Sequence, residues 1–146
     1  MKISTKGRYA LRMLLDLAEH REDGYVALKD IAERQGISKK YLEQIIPILN
    51  RSDLLKTNRG YQGGYMLAKS PDKYTVGMIL RLTEGSMAPV SCLEEGAPAC
   101  DRADCCETLE VWQNLYDAIN RVIDGVTIAD LVDKRKKRMG NFDYSI

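Results

Sequence analysis

All four cysteines of the chain, Cys92, Cys100, Cys105 and Cys106, lie in the stretch SCLEEGAPACDRADCC at 91–106. Clustered thiols in a loop suit coordination of a soft metal or iron–sulfur centre, disulfide exchange, or sensing by thiol oxidation. In a reducing compartment the balance favours metal or redox chemistry over structural disulfides. Four thiols match tetrahedral zinc in number, although the adjacent pair Cys105–Cys106 is awkward around one small ion. Residues 84–110 hold seven acids and one Arg, a field expected to raise thiol pKa values and suppress reactive thiolates. A nucleophilic cysteine needs a base, and the single histidine, His20, is far away in sequence. Phosphate-binding and metalloprotease motifs are also missing, so catalysis is not expected. A loop that binds nothing remains the plain alternative.

The elements around this loop indicate what it would report to. Ala10, Met13, Leu14, Leu17 and Ala18 recur at helical spacing, which predicts an amphipathic helix from Thr5 to about His20. Glu22-Asp23-Gly24 breaks it, and Tyr25-Val26-Ala27 suits a short strand. A second helix over 28–35 stops at Gly36, a residue that readily ends helices. Ser38 can cap a third, KKYLEQIIPILNRS, with Leu42, Ile45, Ile46 and Leu49 as its apolar face. Pro47 is expected to bend or shorten that helix. Helix, glycine turn and helix form the helix-turn-helix pattern, whose second helix enters a DNA major groove. Any two short packed helices would look similar, and the pattern by itself does not establish DNA binding.

The neighbouring segment strengthens it. LLKTNRGYQGGYMLAKSP reads as two short strands around the glycine-rich turn at 59–64. A hairpin directly after a helix-turn-helix is a wing, and its glycines let the backbone approach a phosphate or groove closely. Residues 38–69 hold six basic side chains, Lys39, Lys40, Arg51, Lys56, Arg59 and Lys69, against two acids. Residues 1–75 carry 14 Lys/Arg against 9 Asp/Glu, whereas residues 76–146 carry 8 against 12. A basic half joined to an acidic half fits a protein that meets nucleic acid with one end.

Thr75 can cap a further helix, VGMILRLTEG, and 84–104 reads as loop. Leu109, Trp112, Leu115, Ile119, Val122 and Val126 then recur every three or four residues, with Tyr116 and Ile123 widening the stripe. A long helix with that stripe, added to a module with its own core, is expected to pack on a second subunit; packing back on its own domain is the alternative. Thr127 and Asp130 suit a capping box for a last helix, with KRKKR at 134–138 as its solvated end. No uncharged run approaches the about 20 residues that span a membrane, so a cytoplasmic protein is expected.

MKISTKGRYALRMLLDLA, IAERQGISKKYLEQI and RGYQGGYMLAKSP, in that order, resemble the IscR/CymR/NsrR (Rrf) family of bacterial winged helix-turn-helix transcriptional regulators. The resemblance covers nearly the whole chain. It implies a mainly α fold with a small β-hairpin wing: a DNA-binding domain at 1–83, a cysteine-bearing sensor loop at 84–106, and a dimerisation helix with C-terminal helix and tail at 107–146. It also implies a homodimer on double-stranded, pseudo-palindromic operator DNA. By matched position, Ser38, Lys40, Glu43 and Gln44 would face the major groove, with Lys39 beside them, and Arg59 would enter the minor groove. Gly60, Tyr61, Gly63 and Gly64 complete the wing's candidate contacts. Gln suits adenine and Arg a narrow minor groove, while Glu43 would contribute specificity at some loss of affinity. Tyr41 and Leu42 are expected to anchor the helix.

Some members of that family hold an iron–sulfur cluster on Cys-x5-Cys-x5-Cys, and an all-cysteine set here would suit a [2Fe–2S] centre; others lack the cysteines and answer to a partner protein or another signal. Cys100 and Cys106 match the second interval, and Cys92 stands two residues too far away, an insertion that Gly96 and Pro98 can absorb. Where relatives have a histidine ligand this chain has Leu109, and where others borrow a residue from the partner's first helix it has Arg8 and Arg12. His20 lies about 18 Å along that helix from Arg8. Cys105 is then expected as the fourth metal ligand with Cys92, Cys100 and Cys106, with Glu107 or an exogenous ligand also open and zinc the alternative metal. A cysteine-metabolism regulator governed by a partner protein, or a thiol switch without a cluster, is the other functional reading.

Overall fold

The computed structural model describes residues 1–143. Helix α1 (Thr5–Glu19) starts where the Ser4 hydroxyl accepts from the Gly7 amide. It buries Ala10, Met13, Leu14 and Leu17, the stripe expected from their spacing. Helix α2 (Leu28–Gln35) ends at Gly36 in the left-handed region (φ 63°), where the Gly36 amide returns to the Ala32 and Glu33 carbonyls. Ser38 accepts from the Tyr41 amide to begin α3 (Lys39–Arg51). Leu42, Ile45, Ile46 and Leu49 turn into the core formed with α1 and α2. Pro47 does not shorten the helix: α3 runs through it, with the proline ring on the exposed side.

Strands β1 (Leu55–Asn58) and β2 (Gly64–Leu67) form an antiparallel hairpin that pairs Leu55 with Leu67 and Asn58 with Gly64. The strand expected at 25–27 reduces to a single bridge, in which the Val26 and Tyr65 amides each donate to the other's carbonyl at 2.8 and 2.9 Å. Tyr74, fully buried, ties the wing base down: its hydroxyl donates to the Leu54 carbonyl at 2.7 Å and accepts from the Lys69 amide at 3.1 Å.

Helix α4 (Val76–Glu84) is capped by the Thr75 hydroxyl, which accepts from the Met78 amide. After a connection containing one-turn 3-10 helices at Ser91–Leu93 and Ala103–Cys105, α5 (Leu109–Asp124) packs chiefly on α4. The Thr127 amide donates to the Asp130 carboxylate, and the Asp130 amide donates to the Thr127 hydroxyl; this capping box opens α6 (Ile128–Asp143). Helix α6 returns to lie against α1, where Ile128 and Val132 join the core. Basic residues 134–138 are exposed as expected, but they lie within α6 and not at its end, because the helix continues to Asp143. The tail after residue 143 lies outside the described residues.

Candidate nucleic-acid interface and cysteine site

Burying one face of α3 leaves the other in solvent. Ser38, Lys39, Lys40, Glu43 and Gln44 are all exposed, whereas Leu42 and Ile45 point inward and Tyr41 is half-buried. Tyr41 meets Tyr9 edge to face at 5.3 Å, and Arg12 lies over the Tyr9 ring. This packing holds the start of α3 to α1.

Asp16, 1% exposed, fixes α2 in the same frame. The Arg34 guanidinium donates to both of its oxygens, at 3.0 and 2.7 Å, and the Gln35 amide donates at 3.0 Å. Burial pushes the Asp16 carboxyl upward, but the Arg34 and Gln35 hydrogen bonds and the Arg34 charge outweigh it and hold the pKa below the ordinary value. Arg12 adds a hydrogen bond to the Gln35 carbonyl. Sequence patterns do not reveal this tie, because helical spacing places Asp16 beside apolar residues as an ordinary interruption.

The wing stands beside α3. Arg59, Gly60 and Tyr61 are exposed at its tip, and Tyr61 makes no packing contact that reduces its exposure. Gly60 has φ 124°, and its carbonyl accepts from the Gly63 amide. Gly63 is confined because a Cβ there would meet the Asn58 carbonyl oxygen at 2.5 Å. Gly64, buried, serves a different approach from the one expected: a Cβ there would collide with the Val26 carbonyl. Its missing side chain admits the 25–27 segment, not a DNA phosphate. Among the described residues no ion pair engages Lys39, Lys40 or Arg59, so their charges face solvent.

The cysteine loop is divided. Cys92, Cys100 and Cys106 line one cavity of about 250 Å³ closed by Leu109 and Gln113 of α5. Cys105, expected as a ligand alongside them, lies outside this lining; Cys92 and Cys100 are as exposed as it is, and Cys106 is half-buried. Thiols are the donors that iron–sulfur centres use, so the three cavity cysteines suit such a group in chemistry. Among the described residues, however, no three Cys, His, Asp or Glu side chains converge closely enough to hold a metal ion. Binding would have to draw the loop together. The Cys106 thiol, 3.4 Å from the Thr108 hydroxyl, is held below its ordinary pKa chiefly by hydrogen bonds from that residue. The acidic surroundings therefore do not raise this thiol, contrary to the expectation from charge alone.

Helix α5 buries only Ile123 fully, and Val111, Leu115 and Val122 remain 54%, 44% and 63% exposed. At its base Arg81 of α4 donates to both Asp124 oxygens, at 2.7 and 2.9 Å, and to Asn120 at 2.9 Å. That fork holds the Asp124 carboxyl below its usual pKa and the Arg81 guanidinium above its own. Gly77 lies beneath it: a Cβ there would collide with an Asp124 oxygen. Helix α5 is thus fixed to the winged module at one end and apolar along its open face. Among the described residues, no helix is long and apolar enough to cross a membrane.

The family model described as "Rrf2: Iron-dependent Transcriptional regulator" matches residues 3–134. The chain is 41% identical over 131 residues to the HTH-type transcriptional regulator CymR of Bacillus subtilis (strain 168), covering 90% of this chain and 89% of that one. It is 38% identical over 136 residues to the HTH-type transcriptional regulator IscR of Pectobacterium carotovorum subsp. carotovorum, covering 93% and 82%. The solved structure of CymR (YrzC), the global cysteine regulator of B. subtilis, matches with a TM-score of 0.77 and 39% identity over 92% of this chain and 98% of that one. These relatives are transcriptional regulators, not enzymes.

Proposed function

This chain belongs to the Rrf2 family of transcriptional regulators, and from that premise we propose that it is a cytoplasmic homodimer that binds a pseudo-palindromic operator and senses through its cysteine loop. The observation that carries the DNA reading is the solvent face of α3, where Lys39, Lys40 and Gln44 are exposed, together with an exposed wing arginine. In a major groove, Gln44 would read adenine and Lys40 guanine or phosphate, while Glu43 would accept from cytosine and disfavour other bases. Arg59 would sit in the neighbouring minor groove, where a narrow width concentrates negative potential. The apolar face of α5 supports the dimer: an isologous contact would bury Leu115 and Val122 and place two α3 helices on half-sites about 34–36 Å apart.

Cys92, Cys100 and Cys106 would hold a [2Fe–2S] centre, which would supply an iron- and redox-responsive tie between the loop and α5. Because α5 is fixed to α4 through Arg81 and Asp124, a change at the loop reaches the DNA-binding module through packed helices. Regulation requires the ligand to favour one arrangement of the two modules over another, since equal affinity shifts nothing. A second reading is supported by the cysteine-regulator relative and by the separation of the thiols. On that reading the loop is a surface for a partner protein, or holds zinc or switches by thiol exchange, and no cluster forms.

Anaerobic purification with iron, sulfide and zinc analysis separates these readings: iron with sulfide supports the cluster, and zinc alone or neither metal rejects it. For the DNA surface, Arg59→Ala is expected to weaken operator binding at fixed salt roughly tenfold or more and to lower the salt slope by about one. Unchanged affinity would reject the wing contact.

A further inference from the structure

Two stretches of extended chain, far apart in sequence, pair where α4 and α6 begin. Thr75 and Thr127 form an antiparallel bridge. Beside it the Ile128 amide donates to the Tyr74 carbonyl at 2.8 Å, and the Val76 amide donates to the Val126 carbonyl at 2.9 Å. Each threonine also caps the helix that follows it, its hydroxyl accepting from the Met78 or the Asp130 amide. Residues 74–76 are thus locked to the junction of α5 and α6. The Tyr74 side chain reaches the other way. Its hydroxyl donates to the Leu54 carbonyl just before β1 and accepts from the Lys69 amide just after β2. The Leu54 carbonyl accepts from the Ala68 amide as well, at 3.1 Å. One buried phenol therefore spans both strands at the open end of the wing, whose far end carries Arg59. The Val26–Tyr65 bridge holds the wing to the helix-turn-helix, whereas Tyr74 joins it to α5.

From this geometry we infer that Tyr74 is a positioning residue for the wing, and that residues 74–76 carry a displacement of the α5–α6 junction to Arg59. The inference rests on the reading of Arg59 as a DNA contact. Tyr74 is 0% exposed, so it touches no DNA and can act only through the wing. Close-packed surroundings make such a side chain move with its neighbours and not yield to them. The hairpin then works as a lever. At about 3.3 Å per residue its tip stands about 13 Å from its base, so a tilt of about 5° moves the tip by roughly 1 Å. A shift of that size is enough to take a hydrogen bond out of range.

The test uses the full-length protein and a duplex that the wild type selects from random-sequence DNA. Tyr74→Phe keeps the ring in the core and removes its two hydrogen bonds. It is expected to weaken binding to that duplex roughly threefold to tenfold at fixed salt, the range of one ordinary hydrogen bond. In an Arg59→Ala background the same change should cost less than about twofold, the scatter of independent sites. Val76→Pro removes the amide that reaches Val126. Proline suits the first position of α4, and Thr75 before it is already extended, with ψ 154°. This variant should weaken binding in the same Arg59-dependent way. In the free protein, amide hydrogen exchange across the wing should quicken in both variants, with α1–α3 unchanged. A merely structural role would lower thermal stability and add to the effect of Arg59→Ala. That additivity, or unchanged wing exchange in either variant, would overturn the inference while leaving the DNA reading intact. Wild-type protein that selects no duplex would overturn both.

Discussion

Replacing Asp16 with Asn tests whether α2, the first helix of the helix-turn-helix, is held to α1 by a buried charge. Asp16 is 1% exposed and accepts three hydrogen bonds, two from Arg34 and one from Gln35. Breaking a fully buried pair by removing one partner destabilises by about 3–5 kcal/mol. Here the stranded partner, Arg34, is 36% exposed and can recover water, while Asn retains the shape and one acceptor. The expected loss is therefore roughly 2–3 kcal/mol, closer to the range for hydrogen bonds to charged groups. For a chain of this size that corresponds to a fall in Tm of roughly 6–12 °C. The effect should also depend on pH. The folded-state carboxyl lies below its ordinary value of 3.8, so its contribution is fully present above that value and is lost as pH falls through the folded-state pKa. Urea denaturation of both proteins from neutral pH into acid would show the gap at pH 7 and its narrowing below about pH 4. A difference under about 0.5 kcal/mol at neutral pH, the scale of ordinary surface substitutions, or a gap that widens in acid, would refute this account of Asp16.

Two other sites probe the path from sensor loop to DNA. Gly77→Ala drives a methyl against the Asp124 carboxylate and to 2.7 Å from Arg81, both ends of exposed side chains that can shift, so it should loosen that fork and destabilise by up to about 1 kcal/mol despite the helix preference of alanine. Gly140→Ala, as a control, meets nothing within 4 Å and should be neutral or stabilising by up to about 1 kcal/mol; equal effects of the two in thermal denaturation would dismiss the close-packing role of Gly77. Leu115→Glu should leave helicity unchanged, because Leu115 is 44% exposed in the single chain, and should shift sedimentation toward monomer. A persistent dimer would place the interface elsewhere.

The helix-turn-helix and wing were legible because their signals are local. Gly36 adopts the left-handed conformation that the end of α2 needs, Ser38 caps α3, and the apolar spacing of Leu42, Ile45, Ile46 and Leu49 selects the buried side. That choice dictates everything on the opposite side, including the exposure of Lys40, Glu43 and Gln44. Pro47 misled in one respect: a proline near the C-terminal end of a short, well-packed helix removes one amide and does not end the helix when three buried residues surround it.

Chain-local chemistry thus specifies the elements, their caps, their apolar faces and the presence of a thiol-rich loop, because each depends on dihedral preference or on residues a few positions apart. Tertiary structure alone decides the long-range pairings. Gly64 lacks a side chain because Val26, 38 residues earlier, crosses it, and Asp16 is stabilised by a guanidinium from the next helix. The cysteines show the same limit: spacing groups four thiols, whereas the fold sets Cys92, Cys100 and Cys106 around one cavity against α5 and leaves Cys105 outside it. Sequence distance cannot report that division, because neighbouring residues on a tight turn point in different directions.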